Sequence, residues 1–391
     1  MIKCASVYTY EIDDFDKAYE EVKTQLDEKL TLLDNTVGIV MCHPEFIFSG
    51  ALKFICEKLP FETAGVTTSS QAVNGVAGEL ILTIFVITSD DSMFRVGVTG
   101  EFGESIDERV IEAYEKASEG ISEEPKLALI FPTISQNYAG DTYVAAWKKP
   151  IPNTPLYGTL AMDDTPNFEE SETICNGVGY KTAMSFVLCY GNINPRFIIG
   201  TVPEDNVMPY KGEVTKSSGH FVQEINNINT YKYFESIGFE SGGESAVNYL
   251  FLPFAVAQRK REDYDGIPVI RVLASFTEDG SAIFHGNVDE GSTFALLKCE
   301  PDDVISITEE KVRQINDKAD VNGVLLFSCI VRRIVSMRQN PLMELETVVN
   351  AIKPDIPFMM GYAGGEICPT LVKGGVPTNR YHNYSLVILV I

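Results

Sequence analysis

Two adjacent arginines, Arg332 and Arg333, follow the apolar run Val324-Leu325-Leu326-Phe327-Ser328-Cys329, and a glutamate, Glu366, follows Pro357-Phe358-Met359-Met360-Gly361-Tyr362-Ala363-Gly364-Gly365. A guanidinium fork recognises a carboxylate, and a carboxylate beside small residues lets an ammonium approach closely. Together these groups suit a small zwitterionic or anionic metabolite such as an amino acid. Glu344 and Glu346 lie between them, and His382-Asn383 precede the final apolar run. The same charges have an internal use, in which one arginine pairs with Glu344, Glu346 or Glu366 and pins a helix to a sheet. Cys329 offers a second chemistry, because a thiol at the end of a strand beside two cations is a nucleophile if it is exposed. The chain then reads as a cysteine-dependent hydrolase or transferase, although its four histidines fall in no cysteine-protease signature.

Other reactive residues carry less. Cys42-His43 has metal-binding side chains, but neighbours on a strand point to opposite faces, and no second pair lies at zinc spacing. His43-Pro44-Glu45 is expected to end a strand and shape a loop. His382-Asn383 either lines the same mouth as Gly365-Glu366 or caps a turn. Gly97-Val98-Thr99-Gly100-Glu101-Phe102-Gly103 matches neither G-x-G-x-x-G nor a Walker loop. Ser69-Ser70 and Ser217-Ser218 lack the G-x-S-x-G elbow of a serine hydrolase. No metal or cofactor is expected.

The elements that must position these residues follow one order. A buried-strand pattern at Val37 to Cys42 leads to an amphipathic stretch from Gly50 to Leu59, a segment ending at Gly65, and an alternating strand from Glu79 to Thr88. The order recurs at Leu127-Phe131, Pro155-Thr159 and Thr182-Tyr190, and again at Val324-Cys329, Pro357-Gly361 and Tyr384-Val390. The expected fold is α/β, with mixed β-sheets flanked by helices and two related halves carrying repeated β-α-β-β units. Between the second and third repeats, Phe197 to Thr201 and Gly219 to Ile225 read as extended, Tyr231 to Ile237 as a short helix, and Asp279-Gly280 as a hairpin turn. Pro301 to Lys318 reads as a helix with acidic residues early and basic residues late. Lys211 to Ser218 reads as a polar turn, which places a boundary between domains 1–215 and 216–391.

Composition sets the outer limits. A chain of 391 residues with 45% hydrophobic content has enough apolar material for more than one core. Its 31 basic and 55 acidic residues give a formal charge of -24, which opposes nucleic-acid and membrane-surface partners. The start lacks a secretory signal and no run is long enough to span a bilayer, so a cytoplasmic location is expected. Eight scattered cysteines without a C-x-x-C pair read as small buried hydrophobes in a reducing compartment.

The run Phe327-Ser328-Cys329, Arg332-Arg333, Glu344, Pro357-Phe358 to Gly365-Glu366-Ile367 and His382-Asn383 resembles the C-terminal signature of FIST proteins, and Asp279-Gly280-Ser281 and Asp289-Glu290-Gly291 fit the same pattern. Val40-Met41-Cys42-His43-Pro44-Glu45-Phe46 and Ala64-Gly65-Val66-Thr67-Thr68-Ser69 resemble the FIST N-terminal domain. The resemblance spans nearly the whole chain. It implies an intracellular sensory module that binds a small molecule such as an amino acid and passes the signal to a separate protein partner. The expected ligand-binding residues are Arg332, Arg333, Glu366, Gly361, Gly365, Cys329, Asn383 and Glu344, with Gly65 and Gly361 as pocket walls. One departure stands out, since Ser70-Gln71 occupy the positions where the family's N-terminal half carries Gly-Glu. A working pocket is therefore expected in the C-terminal half. A scaffold without a ligand is the third class considered.

Overall fold

A computed structural model describes all residues except 104, 136–137, 166–167, 239–253, 258–268, 338 and 372–376. Three six-stranded sheets share one order of neighbours. The first runs Ile2–Thr9, Leu82–Ser89, Asn35–Cys42, Glu62–Thr67, Thr173–Cys175, Val178–Tyr180. The second runs Ser92–Val98, Met184–Gly191, Leu127–Pro132, Leu156–Thr159, Glu366–Leu371, Pro377–His382. The third runs Arg196–Gly200, Leu386–Val390, Val324–Cys329, Phe358–Ala363, Gln71–Val73, Val76–Gly78. In each, the third and fourth strands are parallel and the other pairs antiparallel. The fold is thus α/β with mixed sheets.

The last hairpin of each sheet comes from elsewhere in the chain. The hairpin at 71–78 leaves the first sheet's own strands and completes the third, the one at 173–180 completes the first, and the one at 366–382 completes the second. Matching backbone bonds seat them: Thr67 N donates to Glu172 O, Leu160 N to Gly365 O and Tyr362 N to Ser70 O, at 3.0, 3.0 and 3.1 Å. This cyclic exchange interlocks three units. The first two lie within residues 2–191, and the third runs from 196 to 390.

Physical reasons for the elements are local. Central strands such as Leu127–Pro132 are buried on both faces, which explains runs of apolar residues without alternation. One face of all three sheets meets in a single core that holds Ile39, Met41, Leu129, Phe131, Leu325 and Phe327. Phe131 and Phe327 meet edge-on at 6.2 Å, and the Tyr157 hydroxyl donates to Leu325 O and Val387 O at 2.7 and 3.0 Å. The opposite faces are covered by helices: Phe15–Lys29 and Ala51–Lys58 on the first sheet, Ile106–Ala117 and Gly140–Trp147 on the second, Pro301–Asn316 and Met343–Ala351 on the third. Pro301 starts its helix behind a capping box in which Asp303 accepts from Glu300 N at 2.8 Å.

An eight-stranded sheet is inserted in the third unit, with its own core of Val222, Phe234, Phe284 and Phe294. Here the expected turn at Lys211 to Ser218 is corrected, because it forms the end of the strand Val207–Ser218. Gly212 and Val214 are buried between more exposed neighbours, and strands Thr293–Leu297 and Phe221–Ile225 pair on either side. All eight cysteines are free and buried. Among the described residues, no helix is long and apolar enough to cross a membrane.

Candidate functional site

Strand Val324–Cys329 ends directly in the short helix Ile330–Ser336, so the charged pair is carried where strand becomes helix. Residues one apart on a helix point in different directions, and the arginines separate. Arg332 turns toward the covering helices and is fully buried. Its Nη2 donates to Glu344 Oε1 at 2.7 Å, Thr308 Oγ1 at 3.1 Å and Val304 O at 3.3 Å, and its Nε to Glu344 Oε1 at 3.1 Å and Ser328 Oγ at 3.2 Å. Glu344 is equally buried and also accepts from Thr308 and Ser328, both at 2.8 Å. This pair ties three helices to the sheet. Arg332 Nη1 alone has no partner.

Arg333 points to where the other units arrive. Its Nη2 donates to Glu79 at 2.6 Å, just past the exchanged hairpin of the first unit, and its Nη1 to Asp164 at 3.2 Å, from the second. His43 Nε2 lies 3.6 Å from the same Asp164. Arg333 Nε is buried without a partner. Glu346, by contrast, accepts from Asn340 at an exposed position and stands apart from the site.

Glu366 is fully buried in the hairpin that completes the second sheet, opposite Thr159. Its Oε2 accepts from Ser385 Oγ at 2.6 Å and Ser385 N at 3.3 Å, while Oε1 has no partner. Burial holds its carboxyl well above the usual range, only partly offset by Ser385 and Arg332. The counterparts of Glu366 in the other hairpins are Gln71, opposite Gly361, and Thr173, opposite Val66. All three are fully buried, so the ionisable version occurs in the C-terminal hairpin alone. Ser70-Gln71 hold the place of Gly365-Glu366.

Cys329 sits between these groups. Burial pushes its thiol well above the ordinary value, reinforced by Glu366, and the Arg332 charge does not overcome this. A thiol kept protonated is a poor nucleophile. Beside it, Ile134, Val272, His285, Gly364 and Asn383 help to enclose a slot of about 20 Å³, space for roughly one water. Asn383 Nδ2 donates to Tyr381 Oη at 3.0 Å and its Oδ1 is buried without a partner. His382 Nε2 lies 3.1 Å from Cys368 O. Burial pushes the His285 imidazole down to about 4, so it is neutral at pH 7.

The glycines have packing roles. Gly365 has φ 136°, and Tyr381 occupies the space its Cβ would take. Gly361 makes room for the Met41 thioether from the first unit, and Gly65 for the carbonyl of Val40. Thus Cys329, Gly364, Asn383 and Glu366 gather on one side of the strand end, Arg332 and Glu344 under the helices, and Arg333 at the meeting of units. Glu79, Asp164, Thr308, Ser385 and His285 are partners that sequence reasoning did not single out. They carry no motif: Glu79 and Asp164 arrive from other units, His285 from the insertion, Thr308 from the covering helix and Ser385 from just before the last strand.

Two family models match the chain, the FIST N domain over residues 36–228 and the FIST C domain over residues 232–369. No curated protein matches it.

Proposed function

We propose, from the premise that this chain belongs to the FIST family, whose domains are sensory domains of signal transduction, that it binds a small zwitterionic metabolite at the end of strand Val324–Cys329 and passes the signal to a separate protein. One observation carries this reading. Two residues whose charges reach Cys329 from different sides each keep a buried polar atom unpaired: an N–H group at Arg332 Nη1 and a carboxyl oxygen at Glu366 Oε1. An unsatisfied buried polar group costs roughly 1–3 kcal/mol, so such a set is maintained where something polar occupies it. The Arg332 charge already reaches both Cys329 and Glu366. An α-carboxylate directed to the arginine side and an α-ammonium directed to Glu366 make amino acids the simplest ligand class.

The experiment is a thermal-shift screen of L-amino acids beside analogues that lack either the carboxylate or the ammonium. Intact amino acids are expected to raise the melting temperature, with both truncated sets weaker. Glu366→Gln preserves shape and is expected to remove the shift; it is preferred to Arg332→Ala, which also breaks the Glu344 pair. If the whole panel leaves the wild type unmoved, the ligand reading is lost.

A further inference from the structure

We propose that the inserted sheet is a lid over the Cys329 slot and that the Arg271–Asp141 ion pair is its latch, opened to admit ligand. The proposal rests on the ligand-binding reading and assigns how that same site is regulated. A slot with space for one water cannot hold an amino acid, so its cover must move for binding. Two residues of the cover, Val272 and His285, come from the inserted sheet and are joined by His285 N donating to Val272 O at 3.0 Å.

The latch lies next to them in sequence and in space. Arg271 adjoins Val272, and Gly286 adjoins His285; a Cβ at Gly286 would lie 2.6 Å from Arg271 Nε, so the glycine leaves space for the guanidinium. Arg271 is 3% exposed. Its Nη2 donates to Asp141 Oδ1 and Oδ2 at 3.2 and 3.3 Å, its Nε to Asn287 O at 2.9 Å, and its Nη1 to Ile270 O at 3.1 Å. Asp141 also accepts from Asn287 N at 2.8 Å. Asp141 belongs to helix Gly140–Trp147 of the second unit, so these bonds join the inserted sheet to a different unit.

Tyr381 connects latch and slot. Arg271 Nη1 donates to its carbonyl at 3.2 Å, while its hydroxyl donates to Gly364 O at 3.2 Å and accepts from Asn383 Nδ2 at 3.0 Å. Gly364 and Asn383 line the slot. The inserted sheet has an apolar core of its own, while Ile270, Val272 and Leu297 along its inner edge pack into the core of the third unit, so opening is a swing about that seam. The Asp141 side chain remains 25% exposed, so solvent or a partner reaches the latch from outside.

Alkylation of the native protein by iodoacetamide, resolved by peptide mass spectrometry, tests the proposal without any ligand. Asp141→Asn weakens the latch at nearly constant shape, and Arg271→Lys is the second variant if the first does not fold. Cys329 labelling is expected to rise at least about tenfold, as loss of a desolvated charge pair permits. Cys42 and Cys56 of the first unit and Cys189 of the second should label as slowly as in the wild type. An unchanged Cys329 rate, or a uniform rise at all the cysteines, overturns the lid. The amino-acid screen decides the ligand reading separately, so the two failures are distinguishable.

Discussion

Replacing Glu366 by Gln should stabilise the protein at neutral pH, and by an amount that grows with pH. The carboxyl is fully buried, with Ser385 bonded to one oxygen and the other unpaired, and burial raises its folded pKa well above 4.5. In the unfolded chain it ionises near 4.5. Between those values the folded chain keeps a proton that the unfolded chain has lost. Stability from this group is therefore fully present below the unfolded pKa and falls as pH rises, at about 1.4 kcal/mol per pH unit, until the folded pKa is passed. The amide imitates the protonated acid at every pH, keeping an acceptor for Ser385 and placing a donor where Oε1 stands. Wild type and variant should coincide in slope below pH 4.5 and diverge above it. The gap widens with each step in pH until the raised folded pKa is passed. Urea unfolding at pH 4, 5, 6 and 7 measures it, and the difference between the two proteins cancels every other titrating group. Parallel stability profiles across that range would refute the claim that burial raises the Glu366 carboxyl.

Arg332→Met alone should cost about 3–5 kcal/mol by stranding Glu344, and adding Glu344→Leu should recover most of that loss in urea unfolding; a double variant as unstable as the single would contradict the buried-pair account. Gly65→Ala and Gly158→Ala place a methyl against the backbone carbonyls of Val40 and Ile130, whereas Gly361→Ala meets the flexible end of Met41. The first two should therefore cost clearly more than the about 1–3 kcal/mol expected for Gly361→Ala, and equal losses would falsify that ranking.

The central strands were legible because covered sheets require apolar runs, and Val37 to Cys42, Leu127 to Phe131 and Val324 to Cys329 show them plainly. The exchange of hairpins was not legible. Gln71 pairs with Gly361, and segments of three residues carry no signal for a partner so distant in sequence. Lys211 to Ser218 misled because Gly212 and the paired serines imitate a turn, while burial of Gly212 and Val214 depends on strands on both sides. At the site, the pairing of Arg332 with Glu344 was among the readings open from sequence. The partners of Arg333 were not, since Glu79 and Asp164 come from two other units. The ionisable character of Glu366 set against Gln71 was visible as a departure from the family pattern, and the register places the two at matching positions.

Isothermal titration of an amino acid selected by the screen, repeated in two buffers of different ionisation enthalpy, addresses the site most directly. An ammonium beside Glu366 favours the ionised carboxylate, so binding should release a proton, and Glu366→Gln should lose both the release and most of the affinity. Binding with no proton exchange, or with full affinity in Glu366→Gln, would contradict the assignment of Glu366 as the ammonium anchor.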